Sequence, residues 1–387
     1  MKTSRIFKLN LSCLVLWVCL LVSGICANAQ QTMHVETKTF HNPDFPFDRE
    51  IFICTPQNYD ENTQSEVDVV YVFDSHWRSH FALTYGILGE CQNPYEDDIP
   101  FIVVGIPSPA SEEYCRTNDF LPVPTNVTYQ SMYYGNYENF KKFIREDVMP
   151  YINSKYRTSG HTLAIGHSLS ASFILNALSS EDMFDDYIAL SPNFMEDNNK
   201  FADDFLNYDF NNGKPRFMFL TMTNESEETG MGPNWRPAWD MVKSKMESAT
   251  LPETIKMFFK EYPEYTHNSC YAHCLMDILP IYGMYRHNTY FADSEKHPVH
   301  IELECPWAEG DVFITGNQDV VTTWDPKGVK MNKVGDHTYA IDLNVQLPME
   351  FKFTQGSWET QIAPTNAYPG NLRIFTADNN VKHYVAK

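Results

Sequence analysis

EVDVVYVFD (66–74) and IPFIVVGIP (99–107) are the stretches that most limit what this chain can fold into. Both are apolar runs without the alternation of a half-exposed strand, as expected of strands buried on both faces of a parallel sheet. HTLAIG (161–166), DYIALS (186–191), RFMFLTMT (216–223) and IKMFFKEY (255–262) read as further strands. Helices fall between them. YENFKKFIREDVMPYINSKY (137–156) sets Phe140, Phe143, Ile144, Val148 and Ile152 on one stripe, and LSASFILNALSS (169–180) follows HTLAIG directly. Alternation of this kind over residues 34–290, with right-handed crossovers, predicts an α/β fold: a doubly wound, mostly parallel sheet.

The texture changes after residue 295. HIELECP, DVFITGN, HTYAIDLNV, MEFKFTQ and LRIFTA are short alternating segments divided by Gly, Pro, Asn and Asp. They predict a small all-β sandwich. The polar stretch FADSEKHP (291–298) marks the boundary, so the α/β domain is expected over 30–294 and the β-sandwich over 295–387.

Residues 1–29 read as a secretory signal peptide. Lys2, Arg5 and Lys8 precede the apolar run LSCLVLWVCLLVSGIC, and ANA ends at Ala29 before Gln30. A periplasmic or secreted location is expected, and no later stretch is apolar enough to span a membrane. Losing the three bases of the leader takes the formal charge from −21 to −24. That balance argues against nucleic acid as a partner and favours a neutral ligand. Cys54, Cys91, Cys115, Cys270, Cys274 and Cys305 remain after the leader. An even number in an exported chain permits disulfides, but a domain of this size does not need them.

Chemistry enters with LAIGHSLSAS (163–172). Gly166-His167-Ser168-Leu169-Ser170 approaches the G-x-S-x-G pattern, with serine at the last glycine. Ser168 follows an apolar strand and opens a helix, the setting in which a sharp turn holds a nucleophilic hydroxyl clear of the sheet. The helix N-terminus offers unpaired amides where an oxyanion would form. A serine nucleophile needs a base and an orienting acid, in the chain order Ser, acid, His. FFKEYPEYTHNSCYAHCLMDIL (258–279) supplies His267 just beyond a strand, with His273 as its rival inside a helical segment. The loop NESEETG (224–230) offers Glu225, Glu227 and Glu228 as the acid. His267, Cys270, His273 and Cys274 lie within eight residues without a second pair elsewhere, which does not make a metal site; no metal or cofactor is expected.

These motifs resemble the putative-esterase branch of the α/β-hydrolases, the group with esterase D, enterochelin esterases, feruloyl esterases and the antigen 85 acyltransferases. VVYVFDSHW, FIVVGIPSPASEEYCRTNDFLPV (with Arg116, Asp119 and Pro122), IGHSLSA, YIALSPNF and YPEYTHNS carry the likeness across 34–290. The resemblance implies Ser168 as nucleophile, His267 as base and Glu228 as acid, with Glu225 as second choice. It implies the backbone amides of Leu169 and Ser75 as oxyanion donors. Ser75, Ser170 and Asn268 stand where such proteins carry glycine, and their side chains are expected to narrow the pocket.

FITGNQDVVTTWDPKGVKM and HTYAIDLNVQLPMEFKFTQGSWET resemble a starch-binding carbohydrate-binding module. That resemblance implies a sugar platform of Trp324, Lys352 and Trp358, with burial of the two tryptophans in the sandwich core as the competing expectation. Together the two halves predict a secreted serine esterase acting on a carbohydrate ester of acetyl or feruloyl type, with a glucan as ligand of the C-terminal half. The alternatives are a siderophore esterase, an acyltransferase, and a carbohydrate-binding protein whose hydrolase half is inert.

Overall fold

The computed structural model describes residues 35–91, 99–108, 111, 114–123, 134–225, 235–288, 295–377 and 381–387. Residues 1–34, with the expected leader, and 289–294, with part of the expected boundary, lie outside that set.

The elements of the α/β part, in chain order, are β1 (Val35–Phe40), β2 (Arg49–Cys54), β3 (Val67–Phe73), α1 (Arg78–Cys91), β4 (Phe101–Ile106) and α2 (Arg116–Phe120). Then come α3 (Tyr137–Phe143), which runs through a wider turn at Ile144–Val148 into α4 (Met149–Lys155), and β5 (Thr158–His167). α5 (Leu169–Glu181), β6 (Asp186–Leu190), α6 (Glu196–Leu206), β7 (Arg216–Met222), α7 (Trp235–Ser248), β8 (Ile255–Glu261) and α8 (Tyr271–Asn288) complete it. The strands form one sheet in the order β1-β2-β4-β3-β5-β6-β7-β8. β2 is antiparallel to β4, and every pairing from β4 to β8 is parallel.

The apolar runs explain the layering. All seven residues of β3 and all six of β4 are buried. Val69, Tyr71 and Phe73 of β3 point into one core, where Phe140 of α3 and Phe173 of α5 meet them. Val70 and Val72 point the other way, into a second core with Leu275 and Ile278 of α8. Helices thus cover both faces, which the two-sided hydrophobicity of the strands requires.

Strand order reverses at β3, which has β4 on one side and β5 on the other. A crevice forms at such a reversal, beyond the carboxyl ends of the strands. Asp74 and Ser168, the residues that follow β3 and β5, both line the cleft found there.

The C-terminal part is two facing sheets. One holds β10 (Phe313–Gly316), β11 (Val329–Lys330), β14 (Met349–Thr354), β15 (Gln361–Ile362) and β16 (Leu372–Ile374); the other holds β9 (Lys296–Glu304), β12 (Asn332–Lys333), β13 (Thr338–Gln346) and β17 (Lys382–Val385). Ile301, Leu303, Tyr339, Phe351, Phe353 and Tyr384 fill the space between. This sandwich joins the large sheet at its lower end. Glu66, just before β3, accepts hydrogen bonds from the amides of Phe375 at 2.6 Å and Thr376 at 3.2 Å. The Gln64 side chain accepts from the His383 amide at 3.1 Å. The seven residues of β3 separate that joint from the cleft by about 23 Å at the usual rise of an extended strand.

Candidate active site

Ser168 sits on the turn between β5 and α5 with φ 62° and ψ −123°. A non-glycine residue holds such a backbone only when its surroundings over-determine it. Here they do. A Cβ on Gly166 would lie 2.5 Å from the carbonyl carbon and oxygen of Ser170, so only glycine lets α5 start so close to β5. The Ser168 amide donates to Leu190 O at 2.9 Å, anchoring the turn on β6.

Ser170 adds a second restraint. Its hydroxyl accepts from the His167 amide at 2.8 Å and donates to Asp74 Oδ2 at 2.6 Å. Asp74 in turn takes a two-pronged contact from Arg116, Nε to Oδ1 at 2.9 Å and Nη2 to Oδ2 at 2.6 Å, and Arg116 reaches His167 O at 3.3 Å. The side chain that replaces glycine therefore ties the elbow to the end of β3. The pocket-narrowing expected of Ser170 and Ser75 does not occur: both are fully buried and neither lines the cleft. Asn268 does line it.

Ser75 also fails as an oxyanion donor. Asp74 turns the chain at φ 57°, and this folds Ser75 back onto the sheet. Its amide is spent on Ile106 O at 3.1 Å and its hydroxyl on Val72 O at 2.7 Å. Leu169, at the first position of α5, lies in the cleft wall.

His267 lies in the turn between β8 and α8 and shares the cleft with Ser168. Its Nδ1 is 3.0 Å from Glu225 Oε1. Glu228 falls outside the described residues; Glu225, the second choice, is the carboxylate on the imidazole. Burial alone would raise the Glu225 carboxyl, but hydrogen bonds from His267, Thr223 and Ser191 outweigh it and hold it below its ordinary value. A carboxylate so held stays ionised and keeps the histidine proton on Nδ1, leaving Nε2 as the basic nitrogen. Trp235 packs edge-on against the His267 ring, with centroids 5.1 Å apart. His273, the rival, stacks on Tyr265 instead at 4.1 Å.

The cleft has a volume of about 570 Å³. Trp77, His80, Leu83, Tyr271 and Ala272 form one wall, where His80 stacks on Tyr271 at 3.7 Å. Burial keeps His80 neutral, pushed down to about 4. Asn193 and Glu196 supply the polar side, with Asn193 Nδ2 donating to Glu196 Oε1 at 2.8 Å. Burial raises the Glu196 carboxyl. Sequence reading passed over Asp74, Trp77, His80, Trp235 and Tyr271; the only signal was their position at strand ends or beside motif residues. Among the described residues no group of three or more His, Cys, Asp or Glu side chains could hold a metal ion, and no helix is long and apolar enough to cross a membrane.

In the sandwich, Lys352 stands on β14 opposite Thr315 of β10, between the inward-facing Phe351 and Phe353. Trp358 opens the turn after β14 and is 43 % exposed. Trp324, half-buried, ends the helical turn that follows β10. Neither tryptophan belongs to the sandwich core.

The family described as Putative esterase matches residues 44–260. Solved structures with a similar fold include an IroE-like serine hydrolase from Shewanella oneidensis, 22 % identical with a TM-score of 0.55, over 65 % of this chain and 80 % of that one. The BES protein from Bacillus cereus is 21 % identical with a TM-score of 0.54, over 65 % and 97 %. The siderophore hydrolase EstA from Aspergillus nidulans is 18 % identical with a TM-score of 0.52, over 65 % and 95 %. At these identities the likeness is one of fold. No curated protein is a significant match.

Proposed function

The chain belongs to the Putative esterase family, and from that premise we propose that it hydrolyses a carboxylic ester with Ser168 as nucleophile, His267 as general base and Glu225 as the acid that orients it. The observation that carries the reading is the strained elbow at Ser168 opening into the cleft that also holds His267, whose far nitrogen meets a buried carboxylate. A backbone of that kind is kept where it serves a reaction.

In the first step Ser168 Oγ attacks the ester carbonyl and its proton passes to His267 Nε2. The carbonyl oxygen becomes an oxyanion. Leu169, at the helix start and in the cleft wall, donates its amide to it. The tetrahedral intermediate collapses, the alcohol leaves with the proton from His267, and an acyl-serine remains. Water, relieved of a proton by the same imidazole, releases the acid and restores Ser168. Glu225 stays ionised throughout and balances the transient imidazolium.

The reading extends to a secreted or periplasmic enzyme, its leader at 1–29, acting on an ester of a carbohydrate. The polar side of the cleft, at Asn193 and Glu196, suits a hydroxyl-rich alcohol, and the aromatic wall suits the acyl group. The platform of Trp324, Lys352 and Trp358 would hold a glucan by ring stacking, since an exposed tryptophan offers a flat apolar face beside a polar edge. Its support is the exposure of Trp358 and the outward setting of Lys352.

Hydrolysis of p-nitrophenyl acetate by the wild type and by Ser168→Ala tests the enzymatic part. Loss of turnover in the variant supports it; equal rates overturn it. Sedimentation with insoluble starch, repeated with Trp324→Ala and Trp358→Ala, tests the platform. Wild-type protein left in the supernatant ends the glucan reading.

A further inference from the structure

We propose that His167 is a positioning residue that fastens the loop of His267 to the nucleophile elbow. The inference rests on the assignment of Ser168 and His267 made above and gives a role to a side chain outside the Ser-His-Glu set.

His167 is the last residue of β5 and precedes Ser168. It is largely buried in the wall of the cleft, with the residue 8 % exposed. Nε2 lies 2.9 Å from the backbone oxygen of His267, and the two imidazoles are 4.6 Å apart between centroids. A carbonyl can only accept, so this contact fixes the tautomer: Nε2 carries the hydrogen and donates it. The bond joins the strand that carries the candidate nucleophile directly to the turn that carries the candidate base. Those two segments are 100 residues apart in the chain.

Elsewhere the turn is tied to the end of β7, by Tyr262 N–H to Met222 O at 2.8 Å and Asn224 N–H to Tyr265 O at 3.0 Å, and to itself. Ser269 N–H donates to Thr266 O at 3.0 Å, and Cys270 Sγ lies 3.3 Å from the same His267 oxygen. A thiol is a weak donor, so His167 is the stronger of the two partners on that carbonyl. Glu225 orients the ring of His267 but approaches from β7, through Nδ1. Only the His167 bond links the base to the elbow itself among the hydrogen bonds of the described residues.

The ring that makes the brace is held neutral by its surroundings. Burial, then the neighbouring His267, His80 and Arg116, hold His167 well below the usual imidazole range. Cys270 Sγ, 3.8 Å from Nε2, is the other titratable group in contact, and Asp74 lies behind Arg116. A neutral His167 adds no second positive charge beside the imidazolium that forms on His267 during turnover. Loss of the bond would let the turn drift. A misplacement of about 1 Å in a catalytic group can cost about a hundredfold in rate.

Three substitutions test the brace. Glutamine places an amide donor where Nε2 stands; asparagine is too short to reach; leucine removes the donor while keeping bulk. With p-nitrophenyl acetate, we expect His167→Leu and His167→Asn to lose about 10- to 100-fold in kcat with KM within about threefold. His167→Gln should recover most of that loss. The rate at which a fluorophosphonate labels Ser168 should follow the same order, and thermal melting checks that each variant folds. If leucine does not fold, the glutamine–asparagine contrast decides alone. Equal kcat in all folded variants, or glutamine as poor as asparagine, overturns the brace. An active wild type with a dead Ser168→Ala leaves the esterase reading standing in that event, whereas equal activity of wild type and Ser168→Ala defeats the esterase reading itself.

Discussion

β5 carries a histidine near each end, and the two lead opposite electrostatic lives. His161, at the lower end, lies 2.6 Å from Asp186 Oδ2. Burial and Arg286 push its pKa down, but Asp186 and Asp68 outweigh them, and it is raised. Asp68 is paired with Arg286 Nε at 2.7 Å, and Tyr282 donates to Asp186 at 3.1 Å. Every strong charge there faces its opposite. At the upper end His167 meets a carbonyl, two other imidazoles and an arginine, and stays neutral. The same side chain on the same strand is thus pushed toward its charged form beside the carboxylates and toward its neutral form beside the cleft. The lower end is built to be satisfied. The upper end leaves the strained Ser168 facing a cleft.

If that division is sound, substitutions at the two ends should separate activity from stability. Ser168→Ala should have the largest effect, a loss of about 10⁶-fold in kcat, with a melting temperature unchanged or higher, because the strained site gains nothing from its hydroxyl. Assay and calorimetry on one preparation measure both. Glu225→Gln should follow, with about 10⁴-fold lost in kcat as the imidazole loses its tautomer and orientation. Glu228→Gln, in the same assay, discriminates the two carboxylates: a greater loss there would move the acid to Glu228. At the lower end, Arg286→Met leaves Asp68 buried without its partner. It should cost about 3–5 kcal/mol in chemical denaturation, while kcat per folded molecule stays within about twofold of wild type at this distance from the cleft.

Much of this was legible in the chain. Two-sided apolar runs such as VVYVF could only be central strands, and the glycine before a serine at a strand end located the elbow. The acid was ambiguous because a loop with three glutamates has no periodicity to single one out; only the fold brings Glu225 onto His267. Ser75 was misjudged for a backbone reason. Whether an amide is spent on a neighbouring strand depends on a turn at Asp74, and side-chain pattern does not reveal it. Ser170 looked like a crowded glycine and turned out to be a hydrogen-bonding strut between β3 and the elbow. Long-range polar pairs such as Asp68 with Arg286, 218 residues apart, leave no local signature at all.

The smallest effect offers the sharpest contrast, because the two histidines should give stability slopes of opposite sign. A raised folded pKa means that the native state binds the proton more tightly than the unfolded chain. The contribution of His161 is therefore complete below the ordinary imidazole value of about 6.5 and is lost as pH climbs through its raised value. His167 is depressed, so the unfolded chain takes up its proton first, and its contribution is complete above about 6.5 and is lost as pH falls from there through its depressed value. Each slope is at most about 1.4 kcal/mol per pH unit. Urea denaturation from pH 5 to 9 should show the stability gap between wild type and His161→Gln closing as pH rises. The gap for His167→Gln should move in favour of wild type over the same range. Parallel slopes for the two variants would mean that the ends of β5 are not held in opposite charge states, and the division between a satisfied base and a poised cleft would fall with them.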